Sequence, residues 1–357
     1  MNELDTLRKK IDQLDSDIQR LINERAQCAQ VIGQIKHQAG DGNFYKPERE
    51  AQVLRAVQER NQGPLPADVM ARLFREIMSA CLALEQPLRV AYLGPEGTFT
   101  QLAALKHFGQ SVTAVPLNAI DEVFREVQAG SAAYGVVPVE NSTEGAVTHT
   151  LDMFLQSPLR VCGEVLLRVH HNVLSTADQL TAIKTIYAHQ QALAQCREWL
   201  NTHLPQAERV AVASNAEAAR LAAKNSATAA LGSTHAATIY ALNILANNVE
   251  DEPDNTTRFL VIGQQTIAES GDDKTSLMVS TKNKSGALYS LLKPLADHEC
   301  SMTRIESRPS RQGAWEYVFF IDIEGHHESS VLQRALRALE KEAAMVKVLG
   351  SYPKAAL

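Results

Sequence analysis

Leu4, Leu7, Ile11, Leu14, Ile18, Leu21, Cys28, Ile32 and Ile35 follow one another in steps of mostly three and four residues, interrupted at Arg25. Only a helix gathers such positions into one stripe, and a stripe this continuous needs a packed partner along its length. At 1.5 Å per residue, residues 4 to 35 make a rod of roughly 48 Å, longer than a small domain is wide. The rod therefore predicts pairing with a second copy as a helical dimer. Gly40 to Phe44 breaks the pattern, Pro47 suits the first turn of a second helix to about Arg60, and the GPLP stretch at 63 to 66 ends that helix. Val69, Leu73, Ile77 and Leu84 share one face of a third helix that closes near Glu85. Residues 1–86 thus read as an all-α three-helix domain.

A chain of 357 residues has room for more than this domain. Behind Pro87 the texture changes to short β-branched runs alternating with Ala-rich stretches: RVAYLG at 89, TAVP at 113, YGVVPVE at 134, TIYAH at 185, RVAVA at 209 and RFLVIG at 258. That alternation predicts an α/β domain over 88–265 with mainly parallel strands and a crevice beyond their carboxyl ends. The segments GPEGTFT (94–100) and VENSTEG (139–145) fall at such ends. A polar stretch from Glu269 to Lys274 precedes strand (275–281), helix (286–297), strand (302–307), strand (315–323), helix (328–341) and strand (345–349). This is the βαββαβ order of an α+β ferredoxin-like module over 273–357.

Charge and cysteine content remove several classes of function. With 35 basic against 41 acidic residues the net charge is -6, so no basic excess exists to hold nucleic acid. The five cysteines are scattered and never spaced as CxxC, which speaks against a disulfide framework and a zinc site. The N-terminus has no signal-like apolar segment and no run of 18 apolar residues occurs, so the expected setting is cytoplasmic and away from membranes.

Arg25 stands in an otherwise apolar seam, where it either snorkels out or meets an anion. Lys36 lies roughly 17 Å further along the helix on nearly the same side, so the two side chains can converge on one ligand, whereas Arg8, about 26 Å from Arg25, cannot join them within one chain. The segments LRKKID (7–12), ERAQ (24–27), GQIK (33–36), PEREAQVL (47–54) and CLALE (81–85) resemble the all-helical chorismate mutases, which form intertwined dimers. The resemblance implies that Arg25 and the other subunit's Arg8 hold the two substrate carboxylates and Lys36 the ether oxygen and a carboxylate. It puts Arg49 and Glu50 by the ring hydroxyl and Glu85 against the ether oxygen, where a carboxyl donates a hydrogen bond only when protonated.

In the middle segment GPEGTFT offers glycine amides and threonine hydroxyls to an anion, or is simply a capped turn. Together with VENSTEG and NTTRFLVIG (255–263), YAHQQALAQC (187–196) and AALGSTHAA (229–237), it resembles the prephenate dehydratases, two-lobed domains like periplasmic binding proteins. That resemblance makes Thr257 the hydrogen-bond donor to the departing hydroxyl, with Glu140, Asn141, Ser142, Thr143 and Gln195 at the pocket and Glu140 as a candidate to back Thr257. Arg258 has two readings, a carboxylate ligand or a partner of nearby acids. His189 is either catalytic or structural. Ala188 and Gln190 depart from the family pattern, which has serine and proline there, and put one polar contact in question.

KSGALYSLL (284–292) and IESRPSR (305–311) resemble the ACT domain that follows prephenate dehydratases. By this resemblance Gly286, Ala287, Leu288, Glu306, Ser307, Arg308 and Pro309 bind L-phenylalanine between subunits. The three resemblances in sequence imply a bifunctional enzyme that converts chorismate through prephenate to phenylpyruvate without a cofactor, is inhibited by phenylalanine, and works as a homodimer or larger homo-oligomer. Two alternatives stay open at this point: arogenate as the second substrate, and a ligand sensor without turnover.

Overall fold

The computed structural model describes residues 2–40, 44–281, 285–310 and 317–355. The seam forms one helix, α1 (Glu3–Ala39), ended by Gly40 in the left-handed conformation. Proline at its start opens α2 (Pro47–Glu59), and α3 (Ala67–Glu85) packs against both. Only the C-terminal part of α1 is covered, at Ala29 and Gly33. Leu4, Leu7, Ile11, Leu14, Ile18 and Leu21 stay half exposed, so six large apolar side chains lie on one naked stripe. Gly33 allows α1 to cross α3 closely, since a Cβ there would stand 3.1 Å from Cγ of Glu85.

The middle segment has two lobes. The first contains β1 (Arg89–Leu93), α4 (Phe99–Phe108), β2 (Thr113–Leu117), α5 (Ile120–Gln128), β3 (Tyr134–Asn141), β4 (Gly145–Ala146), α6 (Thr148–Phe154) and β5 (Arg160–Arg168). The second comprises β6 (Asn172–Ser175), β7 (Thr185–Ala188), α7 (Gln190–Gln195), α8 (Arg197–His203), β8 (Glu208–Ala211), α9 (Asn215–Ala222), β9 (Thr228–Gly232), α10 (Thr234–Ile239) and β10 (Asn243–Ala246). The chain then returns along β11 (Thr256–Gly263) to the first sheet, whose order is β2-β1-β3-β11-β5 with β4 beside β3, while the second sheet is β10-β6-β9-β7-β8.

These sheets are mixed rather than mainly parallel. Strands β1–β2, β1–β3, β7–β8 and β7–β9 are parallel, but β11 runs antiparallel to both β3 and β5, and β6 antiparallel to β9 and β10. The second lobe interrupts the first, so the two crossings between lobes are short and the returning strand runs opposite to its neighbours. A parallel return would need a crossover of a dozen or more residues.

The last segment folds as β12 (Asp273–Thr281), α11 (Ala287–Asp297), β13 (Met302–Pro309), β14 (Tyr317–Glu324), α12 (Ser330–Glu342) and β15 (Met345–Pro353), with sheet order β13-β14-β12-β15. The expected order of elements is present; Lys284 and Arg311 of the two motifs, and residues 315 and 316 of the expected strand, lie outside the described residues. This sheet does not hang free. Met278, Val318, Phe320, Leu349 and Tyr352 share one buried cluster with Val137, Leu151, Val161 and Leu260 of the first lobe. Backbone meets backbone at Gly350, where a Cβ would come within 2.1 Å of the carbonyl oxygen of Val161.

Candidate active sites

A cleft of about 370 Å³ opens where α1, α2 and α3 meet, lined among others by Arg25, Lys36, Lys46, Arg49, Glu50 and Glu85. Four cationic side chains around two carboxyls suit a small dianion that carries a hydroxyl or ether group. The Lys36 ammonium donates to the Phe44 carbonyl at 3.0 Å and lies 3.7 Å from Oε2 of Glu85, beyond hydrogen-bond range. That oxygen is buried without a hydrogen bond. Burial raises the Glu85 pKa and outweighs the opposing pull of Lys36, so the carboxyl holds its proton to higher pH than usual. Glu50 is pushed up to about 7 by burial, against Arg75 at 3.3 Å and a hydrogen bond from Tyr45. Arg8 does not line this cleft; it sits on the uncovered part of α1.

The second site is a cleft of about 430 Å³ between the two lobes, with Asn141, His171, Gln195, Asn215, Asn255 and Thr257 among its walls. Nδ2 of Asn141 donates to Oγ1 of Thr257 at 2.8 Å and to Oδ1 of Asn255 at 2.9 Å. Oδ1 of Asn141 accepts from the amides of Thr143 and Glu144, which fixes the amide plane. Because the Thr257 oxygen accepts from an amide, its own O–H is left to donate, and no acceptor for it stands among the described residues. Across the cleft Oε1 of Gln195 accepts from Nε2 of His171 at 3.0 Å and from Nδ2 of Asn255 at 3.2 Å. The His171 pKa is lowered, chiefly by burial, so the ring is neutral and turns an unpartnered Nδ1 to its surroundings; Nε2 of Gln195 is equally unpartnered. Buried polar atoms without partners are uncommon, and these border a cavity able to hold a polar ligand.

In the third segment Gly286 opens α11 in the left-handed conformation, with Ala287 and a half-exposed Leu288 behind it. Glu306, Ser307, Arg308 and Pro309 lie on the edge strand β13. Arg308 makes a bidentate bond to Asp152 of α6 at 3.0 and 3.1 Å.

The chain matches the family model for prephenate dehydratase over residues 90–267, for chorismate mutase type II over 7–86 and for the ACT domain over 275–341. It is 55% identical to the bifunctional chorismate mutase/prephenate dehydratase of Pseudomonas aeruginosa and 56% identical to that of Stutzerimonas stutzeri, in each case across 100% of this chain and 99% of the relative. The chain belongs to the bifunctional chorismate mutase/prephenate dehydratase family. Among solved structures, the prephenate dehydratase of Arthrobacter aurescens in complex with L-Phe superposes with a TM-score of 0.69 at 34% identity, covering 74% of this chain and 90% of that one.

The structure redistributes several of the expected site residues between the two clefts and the ACT sheet. Arg258 is not at the dehydratase cleft. Of its two readings the structure has the second: its guanidinium donates to Glu164 at 2.8 Å, Asp322 at 2.5 Å and the Tyr352 hydroxyl at 2.9 Å. Alternation along β11 sends Thr257 and Arg258 to opposite faces, which is why neighbours in the TRF triplet part company. Glu140 likewise turns from the cleft and pairs with Arg304 of β13 at 2.9 Å, so it does not back Thr257. Ser142 accepts from the Thr256 amide, and Thr143 lines a neighbouring cleft of about 330 Å³ that shares Gln195 and Asn255 with the first.

The donors of the GPEGTFT loop are engaged within the lobe: the Gly94 amide donates to Leu117, the Thr98 hydroxyl to the Leu93 carbonyl while its oxygen caps α4, and the Gly97 amide to Oε1 of Gln101. Ala188 is fully buried in the second-lobe core, so the missing hydroxyl leaves no gap in the cleft wall. His189 lines the cleft and caps α7. Lys46, His171 and Asn215 are wall residues that sequence reasoning passed over, and Asn255 stood in the NTTRFLVIG motif without being given a role. Among the described residues no helix is long and apolar enough to cross a membrane.

Proposed function

We propose that the helical domain rearranges chorismate to prephenate, that the two-lobed domain removes water and carbon dioxide from prephenate to give phenylpyruvate, and that L-phenylalanine bound at the ACT module restrains the second step. The assigned parts are residues 1–86, 88–265 and 273–357. A Claisen rearrangement needs no nucleophile, only a fixed reactive conformer and charge complementary to the breaking ether bond. Arg25, Lys36 and Arg49 supply that charge, protonated Glu85 donates to the ether oxygen, and Glu50 faces the ring hydroxyl. Arg8 completes the pocket from a second copy, whose α1 seam covers this one in a homodimer.

The dehydratase reading is carried by the free O–H of Thr257. Aromatisation drives the loss of carbon dioxide, so the enzyme's task is to help the ring hydroxyl leave. Asn141 orients the Thr257 hydroxyl as a donor, and Gln195 with His171 offers polar atoms on the opposite wall. Regulation is supported by the ACT match and by the L-Phe held in the Arthrobacter relative's structure. Gly286, Ala287, Leu288 and the Glu306–Pro309 strand are the assigned effector contacts, with Arg308 already engaged to Asp152. Purified protein given chorismate should form phenylpyruvate, while Thr257→Ala should consume chorismate and accumulate prephenate. A Thr257→Ala enzyme that makes phenylpyruvate at the wild-type rate would overturn the donor role.

A further inference from the structure

Thr257 on β11 and Asn141 on β3 are register partners, and so are Arg258 and Glu140 beside them. The first pair meets in the cleft. The second faces away, and both of its members are gripped by the ACT sheet: Arg258 by Asp322 of β14 and Tyr352 of β15, Glu140 by Arg304 of β13. Immediately past Arg258 the register of β11 against β3 slips, while on its other side β11 keeps register with β5 from Thr256 to Val261.

We propose that the ACT sheet is a working part of the dehydratase site, with Asp322 and Arg304 as positioning residues that hold the Asn141–Thr257 pair through Arg258 and Glu140. The proposal rests on Thr257 being the donor. Further bonds hold the partners of Arg258 in turn. Ser276 donates to the second oxygen of Asp322 at 2.5 Å and bonds the Tyr352 hydroxyl at 2.8 Å, while Lys274 bonds both carboxylate oxygens of Glu164 at 2.8 Å. Adhesion alone does not call for these charges. Met278, Val318, Phe320 and Leu349 already bind the sheet to the lobe, and apolar groups hold an interface as well as a buried ion cluster does. What the cluster adds is direction, because a rigid guanidinium fork held by three separate acceptors has one orientation.

The test measures both activities on the full chain. Asp322→Asn keeps the shape and removes the charge. It should lower dehydratase kcat about tenfold or more with the KM for prephenate within about twofold, as misplacement of a bound reactant's partner group does, and leave mutase turnover unchanged. Arg304→Gln should act in the same direction, and Arg304→Lys, which keeps the ion pair, should recover most of the lost rate. In a Thr257→Ala background Asp322→Asn should cause no further loss, since both act through one hydroxyl. Unchanged dehydratase kcat in Asp322→Asn, or losses that simply multiply in the double variant, would overturn the proposal while leaving the Thr257 role intact. If Asp322→Asn fails to fold, equal rates for Arg304→Gln and wild type overturn it instead. Wild-type kcat in Thr257→Ala would remove the donor role and the proposal together.

Discussion

At the scale of single residues, two carboxyls in the mutase cleft are held protonated above their usual range, and the pH dependence of the protein should show it. Glu85 must carry a proton to donate, so mutase kcat/KM should fall as pH rises through its raised pKa, and Glu85→Gln should flatten that profile; a profile equally steep in both proteins would reject the role. Glu50 affects stability. Its folded pKa of about 7 lies above the unfolded value of 4.5, so the folded state binds the extra proton between them and stability falls as pH rises through that window. The loss is on the order of 3 kcal/mol if the whole shift is realised, at 1.36 kcal/mol per pKa unit. Thermal unfolding of Glu50→Gln and wild type from pH 4.5 to 8 should show the wild type losing more. Thr257, Lys36 and Glu85 were legible because each sits inside a local motif. His171 and Asn215 were not, since their place on the cleft comes from lobe packing that no local pattern encodes. Arg258 shows the converse: its motif marks it as important, but strand alternation sends it to a different site.

At the scale of elements, α1 carries the clearest expectation. Its stripe of leucines and isoleucines finds no cover among the described residues, and Arg8 sits along that uncovered part. If each mutase pocket joins Arg25 of one copy to Arg8 of another, the single variants Arg8→Ala and Arg25→Ala should both be nearly inactive as mutases. Mixing and exchanging them should then restore activity to about a quarter of wild type, because half of the dimers are mixed and one of the two pockets in each is whole. Failure to complement would reject a pocket shared between copies, because Arg8 lies too far along α1 from Arg25 to reach the same pocket within one chain. The three helices and the βαββαβ order could be read from periodicity and turn residues. The direction of β11 could not, because an antiparallel return depends on the second lobe interrupting the first. Strand β5 also escaped notice: Gly163 and Glu164 break its apolar run, and both have tertiary reasons, a close approach to His107 and the ion cluster with Arg258.

At the scale of the whole molecule, besides Lys274–Glu164, three charged contacts among the described residues join the ACT sheet to the dehydratase lobe: Arg258–Asp322, Glu140–Arg304 and Arg308–Asp152. Two lie beside cleft residues, and the third holds α6, whose first turn with Thr148 and His149 forms part of the cleft wall. A ligand that shifts the ACT sheet therefore alters the cleft, and linkage requires the reverse. Saturating phenylalanine should weaken prephenate binding by some factor, and prephenate should weaken phenylalanine binding by the same factor, as titration calorimetry with Thr257→Ala would measure without turnover. Prephenate affinity indifferent to phenylalanine would end this account of regulation.

The main-chain contact at Gly350 bears on how such a protein can be taken apart. Three family domains in a row suggest beads that could be cut free or exchanged, yet the last bead lends Met278, Val318, Phe320, Leu349 and Tyr352 to the catalytic lobe's own core, and its backbone lies directly on that of β5. A fragment ending near residue 265 would expose that core to water and leave Arg258 charged without two of its partners. Recombination between relatives should respect the joint between lobe and sheet, exchanging both together and tolerating neither alone.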